Sequence, residues 1–197
     1  METNFSKTEK QKYRKIWESC DYSSGNAVEF ANIVNGIIRD DHCFANIVDL
    51  GCGSGKTMKR LMELGYENVY GVDITLKGVK DIPSDRLLEA PLWNMLEGVL
   101  NDTDWPAPTY TISTDTLEHI PPELVEESII EIIAITTIKT IHAICTRPCV
   151  VRHFGEELHL TIKPLSWWQH QFDRFNRKGI KIVLMDADRL HHYCVSG

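Results

Sequence analysis

The chain has 197 residues, 43% of them hydrophobic and 25% charged, and carries a formal net charge of −7. That is enough for one domain with a full core, and no apolar run reaches transmembrane length. The acid excess argues against nucleic acid as a partner, because such partners call for a basic footprint.

The opening "METNFSKTEKQKYRK" has no apolar h-region, so no secretory signal is expected and a cytoplasm is the default compartment. Lys7, Lys10, Lys12, Arg14 and Lys15 read as the solvated face of a first helix. Six cysteines (Cys20, Cys43, Cys52, Cys145, Cys149, Cys194) form no C-x-x-C pair and read as free thiols in a reducing compartment. Pro148 argues against one helix carrying both Cys145 and Cys149, and no metal site is expected there.

In chain order, "AVEFANIVNGIIRD" (27–40) predicts an amphipathic helix with Phe30, Val34, Ile37 and Ile38 on one face. "ANIVDL" (45–50) predicts a buried strand. "KTMKRLMELG" (56–65) predicts a helix closed by Gly65. Strands follow at "ENVYGVD" (67–73), "DRLLEA" (85–90) and "YTISTD" (110–115). Pro121 and Pro122 start a helix with Glu123, Glu126 and Glu127 near its positive end, running on through "SIIEIIAITTIK". "IHAICT" (141–146) is a fifth strand, "PLSWWQHQFDRFNRKG" (164–179) a helix, and "IKIVLMD" (180–186) with "RLHHYCV" (189–195) a terminal strand pair turned through "DADR". The alternation predicts one α/β domain over 1–197: a Rossmann-like, doubly wound, mostly parallel sheet of seven strands with an antiparallel C-terminal strand.

In such sheets ligands bind at the carboxyl ends of strands, where the strand order reverses, so the loop after the first strand is decisive. It reads "DLGCGSGKT" (49–57). A phosphate loop, G-x-x-x-x-G-K-[ST], needs glycine where Leu50 stands. A dinucleotide fingerprint, G-x-G-x-x-G, fails by one because Gly51, Gly53 and Gly55 give G-x-G-x-G. Downstream, Asp73 ends the second strand 22 residues after Gly51, the range in which an acid takes the hydroxyls of an adenosine ribose.

"VDLGCGSG" with its second acid resembles the first motifs of the class I S-adenosylmethionine-dependent methyltransferases. "STDTLEHIPPE" (113–123), "LHLTIKPLSWW" (158–168) and "YRKIWESCDYSSG" (13–25) resemble further segments of small, phage-type members of unassigned substrate. The resemblance covers nearly the whole chain. It implies S-adenosyl-L-methionine as cofactor, held by Asp49, Gly51, Cys52, Gly53, Gly55, Asp73, Ile74, Leu92, Trp93 and Asp115. It also implies a helical lid within residues 1–40, containing Tyr13, Trp17 and Tyr22, and a cytoplasmic site of action, that of the host cell for a phage protein. Trp93 and Trp167-Trp168 are open both to site roles and to core packing.

Methyl transfer from a sulfonium is an in-line displacement in which alignment supplies much of the rate. If the acceptor must lose a proton, a base helps. His119, His159 and Glu118 are the catalytic candidates, with a structural role for His119 equally open; His191 and His192 sit too late in the chain. Asp115, Glu118 and His119 resemble the E-x-x-E-H ligands of metal-dependent RNA 2′-O-methyltransferases, but metal-free small-molecule enzymes carry the same letters, and no metal is expected. Ile120-Pro121-Pro122-Glu123 is not the amino-methyltransferase signature, and Pro148-Cys149 follows the fifth strand, not the fourth as a cytosine enzyme requires. The expected acceptor is a small molecule or a protein side chain. The alternatives are a non-catalytic cofactor binder with an apolar helix as partner surface, a homo-oligomer contact included, and an enzyme that cleaves the cofactor.

Overall fold

The computed structural model describes residues 4–19, 25–148, 155 and 157–190, without the side chains of residues 4, 5, 42 and 43. Its elements are α1 (Asn4–Ser19), α2 (Ala27–Ile38), β1 (Asn46–Leu50), α3 (Lys56–Glu63), β2 (Asn68–Asp73), β3 (Leu87–Glu89), α4 (Leu96–Asn101), β4 (Tyr110–Thr114), α5 (Val125–Ile135), β5 (Lys139–Ile144), α6 (Leu165–Phe175) and β6 (Lys181–Asp186). The strands form one sheet in the order β3-β2-β1-β4-β5-β6, every pair parallel. The order reverses between β1 and β4, so the crevice expected from the sequence lies beyond Leu50 and Thr114.

Both faces of the sheet are covered. Strand side chains alternate sides, so Ile47, Val69, Ile112 and Ile141 pack toward Phe30, Val34, Met58 and Leu61 of α2 and α3. Val48, Leu50, Val72 and Ile144 pack toward Val99, Ile129, Ile132, Trp168 and Phe172 of α4, α5 and α6. Trp168 is fully buried, so of the Trp167-Trp168 pair it is the core member.

Three expectations are corrected. The α5 helix stops at Ile135 instead of running on to Lys139: the Thr136 hydroxyl turns back to Ile132 O (2.6 Å) and meets Thr111 (2.7 Å), and Lys139 already opens β5. The α6 helix ends at Phe175, because the Asn176 amide takes both the N–H (3.0 Å) and the C=O (2.8 Å) of Ile180 and folds 176–180 into a loop. Among the described residues the sheet has six strands, all parallel, not seven with an antiparallel one. "DADR" does not turn a hairpin. Asp186 accepts from Asp188 N (3.0 Å) and winds Ala187–Arg189 into a single 3-10 turn. The rest of the expected last strand lies outside the described residues, as do Tyr22, Cys149, His153, His191 and His192.

Candidate functional site

The glycine loop is wound by its own backbone. Gly51, Gly53 and Gly55 have φ of +70°, +54° and +78°, a region side chains disfavour. Gly51 N and Cys52 N both donate to Val72 O (2.7 and 3.1 Å), which pulls the turn over the end of β2. Gly55 N donates to Cys52 O (2.8 Å), and Gly55 caps α3. Lys56 and Thr57 thus open a helix rather than a phosphate loop.

Asp73 joins this loop to the second strand. One carboxyl oxygen accepts from Gly53 N (2.9 Å) and the other from Thr75 N (3.0 Å). A carboxylate has about four acceptor positions, so room remains for a ligand. Burial pushes its pKa up to about 6, against the pull of the Thr75, Gly53 and Ile74 N–H groups. Asp49 is buried more deeply, and its Oδ2 has no partner. Burial, helped by the charge of Asp73, holds its carboxyl well above the usual range. Two buried acids and an unmatched oxygen beside an open cavity suit a cationic, hydroxyl-bearing ligand, which S-adenosylmethionine is.

Two adjoining clefts share Trp17, Gly51, Gly53, Asp115 and His119 as walls. Tyr13, Asp73, Ile74, Leu92, Trp93 and Thr116 complete the first; Asp49, Cys52, Ser54, Lys56 and His159 belong to the second. The α1 helix roofs them. The Trp17 ring lies on Gly78, where a Cβ would stand 2.3 Å from it, and Trp93 Nε1 donates to Ser6 Oγ (3.1 Å). Glu89, at the end of β3, holds the helix down through Lys10 (2.8 Å) and Arg14 (3.5 Å). Trp17→Ala is expected to weaken cofactor binding about tenfold, the value of one large aromatic contact. Calorimetry that shows wild-type affinity would remove Trp17 from the site.

Past β4, Asp115 takes φ +50° and accepts from Asn26 Nδ2 (3.1 Å). The chain then makes a 3-10 turn over Leu117–His119. His119 Nδ1 meets the Tyr13 hydroxyl (3.0 Å), and its ring stands edge-to-face with His159 at 4.9 Å. Burial, with His159 and Lys12 nearby, pushes its pKa down to about 3, so it is neutral at pH 7. His159 is brought there because Leu160 N and Thr161 N both donate to Glu118 O (2.8 and 2.9 Å). The Glu118 carboxyl itself is buried, accepts from Cys145 N (3.2 Å) and lines neither cavity.

The fold thus gathers every predicted site residue around the cavities except Gly55, which turns the chain, and Glu118, which lies behind His119. Thr116, Asn26 and Pro91 were not predicted. Thr116 stands inside the quoted "STDTLEH" segment, while Asn26 reaches Asp115 across 89 residues with no local signal. His142 is core: fully buried, bonded to Ser113 Oγ (2.7 Å) and Thr140 Oγ1, and stacked on Phe172.

Residues 48–134 match the model of the family described as "Methyltransferase domain". No curated protein matches the sequence. Among solved structures, an S-adenosylmethionine-dependent methyltransferase from Archaeoglobus fulgidus is 15% identical (TM-score 0.50; 74% of this chain, 68% of that one). A putative S-adenosylmethionine-dependent methyltransferase from Listeria monocytogenes is 12% identical (TM-score 0.50; 76% and 83%). A magnesium protoporphyrin IX methyltransferase from Synechocystis, crystallised with S-adenosylhomocysteine, is 18% identical (TM-score 0.44; 70% and 67%). The chain spans 48% to 56% of the length of several others. At these identities the structures establish the fold alone. Residues 48–134, just under half of the chain, thus match a methyltransferase-domain family, and the chain shares its α/β fold with S-adenosylmethionine-dependent methyltransferases.

Proposed function

We propose that the protein transfers the methyl group of S-adenosylmethionine to a small-molecule acceptor. The observation that carries this reading is the meeting of the glycine loop, Asp73 and Asp49 at a roofed double cavity. In this reading Asp73 takes the ribose hydroxyls, Trp93 and Leu92 wall the adenine, and Asp49 faces the cationic methionine end. The methyl then points toward His119 and His159. A neutral His119 puts no positive charge beside a sulfonium, and its hydrogen bond to Tyr13 fixes the ring as a wall against which an acceptor aligns. The roofing by α1 suits a closed, drying site, and we read that helix as a lid. On the same reading the protein is one of the small, phage-type enzymes and works in a host cytoplasm; what supports this is the likeness of residues 113–123 and 158–168.

Labelled S-adenosylmethionine and a small-molecule extract are expected to yield S-adenosylhomocysteine together with label in an extract component. Methylthioadenosine or adenosine formed without extract would identify a cofactor-cleaving enzyme instead. Tight binding with no product of any kind would identify a binder.

Cofactor binding should depend on pH with a definite sign. The ligand prefers the ionised Asp73, whose pKa in the free protein is about 6. Affinity is therefore full above that value and falls about tenfold per unit below it. Dissociation constants that stay flat from about pH 7.5 to about pH 5 would rule out an ionised Asp73 as the ribose acceptor.

A further inference from the structure

Behind His119 the fold assembles a second set of reactive side chains. A carboxyl oxygen of Glu118, Cys145 Sγ and a ring nitrogen of His159 all lie within 4.8 Å of one another. They come from the turn after β4, the residue after β5 and the extended segment before α6, so only the tertiary fold brings them together.

As a set of neutral core groups the arrangement is incomplete. Glu118 is fully buried, yet its Oε2 has no partner, while its Oε1 accepts from Cys145 N. Cys145 is buried, and its thiol faces two oxygens, Arg147 O (3.6 Å) and Asp188 Oδ2 (3.5 Å), of which its single proton can serve one. Burial pushes the Glu118 carboxyl well above the usual range and the Cys145 thiol to about 12. His159 is oriented from outside: its Nδ1 donates to Arg147 O (2.7 Å), so the neutral ring carries its lone pair on Nε2. Histidines that bind metals are fixed by such an outer hydrogen bond.

We propose that Glu118, Cys145 and His159 form a binding site for a thiophilic divalent cation of the zinc type. One sulfur, one imidazole nitrogen and one carboxylate oxygen suit zinc or cobalt, whereas magnesium and calcium take oxygen sets. Bond lengths of about 2.0–2.3 Å in a tetrahedron put ligand atoms about 3.3–3.8 Å apart, so the three must draw in by up to about 1.5 Å. His159, half-buried on an extended segment, has the freedom to do so. The ion binds as Cys145 and Glu118 release their protons to solvent, and it supplies the positive charge their burial lacks. Asp188 is already held by Arg147 Nε (2.6 Å) and stays outside the ligand shell. Three protein ligands leave a fourth position for water or for an oxygen of a cavity ligand, and His159 lines that cavity. The set is not the Asp115, Glu118 and His119 triplet whose letters resemble a metal-ligand motif: Asp115 engages Asn26 and His119 engages Tyr13.

The test uses the full chain, stripped with chelator and titrated with Co²⁺. About one equivalent is expected to produce a thiolate-to-cobalt charge-transfer band in the near ultraviolet and the visible bands of a four-coordinate ion, bleached by Zn²⁺. Cys145→Ser should abolish the charge-transfer band. His159→Ala, at a half-exposed position that the fold tolerates, should weaken the ion about tenfold or more without lowering the melting temperature of the metal-free protein. His170→Ala, on the exposed face of α6, should change nothing. Absence of the band in the wild type, its survival in Cys145→Ser, or wild-type affinity in His159→Ala would each overturn the site. None of these readouts depends on methyl transfer.

Discussion

Asp73→Ala is expected to lower affinity for S-adenosylmethionine by about 10²- to 10⁴-fold. Two hydrogen bonds from ribose hydroxyls to a buried carboxylate are worth about 1.5–3 kcal/mol each, and together they give a loss of that order. The substitution also frees Gly53 N and Thr75 N, so the loop loses the acceptor that ties it to β2. Folding stability should respond differently. A carboxyl raised from 3.8 to about 6 costs the free protein about 3 kcal/mol at neutral pH. Because the folded value is raised, this cost is absent below the unfolded pKa, builds as pH rises from 3.8 toward about 6, and is complete above it. Removing Asp73 relieves that cost while sacrificing two hydrogen bonds, so the melting temperature should move by only a few degrees, about 1 kcal/mol in net. Calorimetry and thermal melts on the same sample separate the two. A variant that binds as the wild type does would sink the ribose assignment; one that melts far below it would make Asp73 a structural residue first.

The features legible in the sequence were those written over short distances. The period of "AVEFANIVNGII", the glycines at 51, 53 and 55, and an acid at the end of each of β1 and β2 each depend on a few neighbouring residues, and they sufficed to locate the crevice. What was not legible depends on distant partners. α5 ends at Ile135 because Thr136 finds Thr111 on β4, which no helical periodicity records. α6 ends at Phe175 because a single asparagine prefers Ile180 to another turn. Glu118 reads as a cleft residue from its place in "DTLEH", but the 3-10 turn that aims His119 at the cavity sends its neighbour inward. His159 reads from the sequence as a candidate base, but its mate in space is His119, forty residues earlier, through two backbone hydrogen bonds to Glu118. The Cys145 thiol read as one of six scattered cysteines; only the fold sets it against Glu118 and His159.

Gly51 and Gly53 are expected to fail in opposite ways when each is replaced by alanine. At Gly51 a Cβ would stand 2.3 Å from Thr116 Cγ2, 2.6 Å from its Oγ1 and 3.0 Å from its Cβ. Thr116 cannot swing aside cheaply, being β-branched and bonded to Thr114 O (3.0 Å). Adding about 1 kcal/mol for an alanine at φ +70°, Gly51→Ala should cost about 2–4 kcal/mol of stability, the range of an overpacked core. At Gly53 the nearest atom to a Cβ is Trp17 Cζ2 at 3.6 Å, an ordinary contact, so only the backbone term of about 1 kcal/mol remains. But that methyl would enter the gap between loop and α1 that both cavities share. Gly53→Ala should therefore fold nearly as well as the wild type and bind S-adenosylmethionine at least about tenfold more weakly. The double variant Gly51→Ala with Thr116→Ala tests the steric part: relieving the clash should return about half of the lost stability, a coupling that a thermal-melt cycle resolves. If Gly51→Ala melts with the wild type, the tight contact of loop with post-β4 turn is wrong. If Gly53→Ala binds as tightly as the wild type, the cofactor does not pass beneath Trp17.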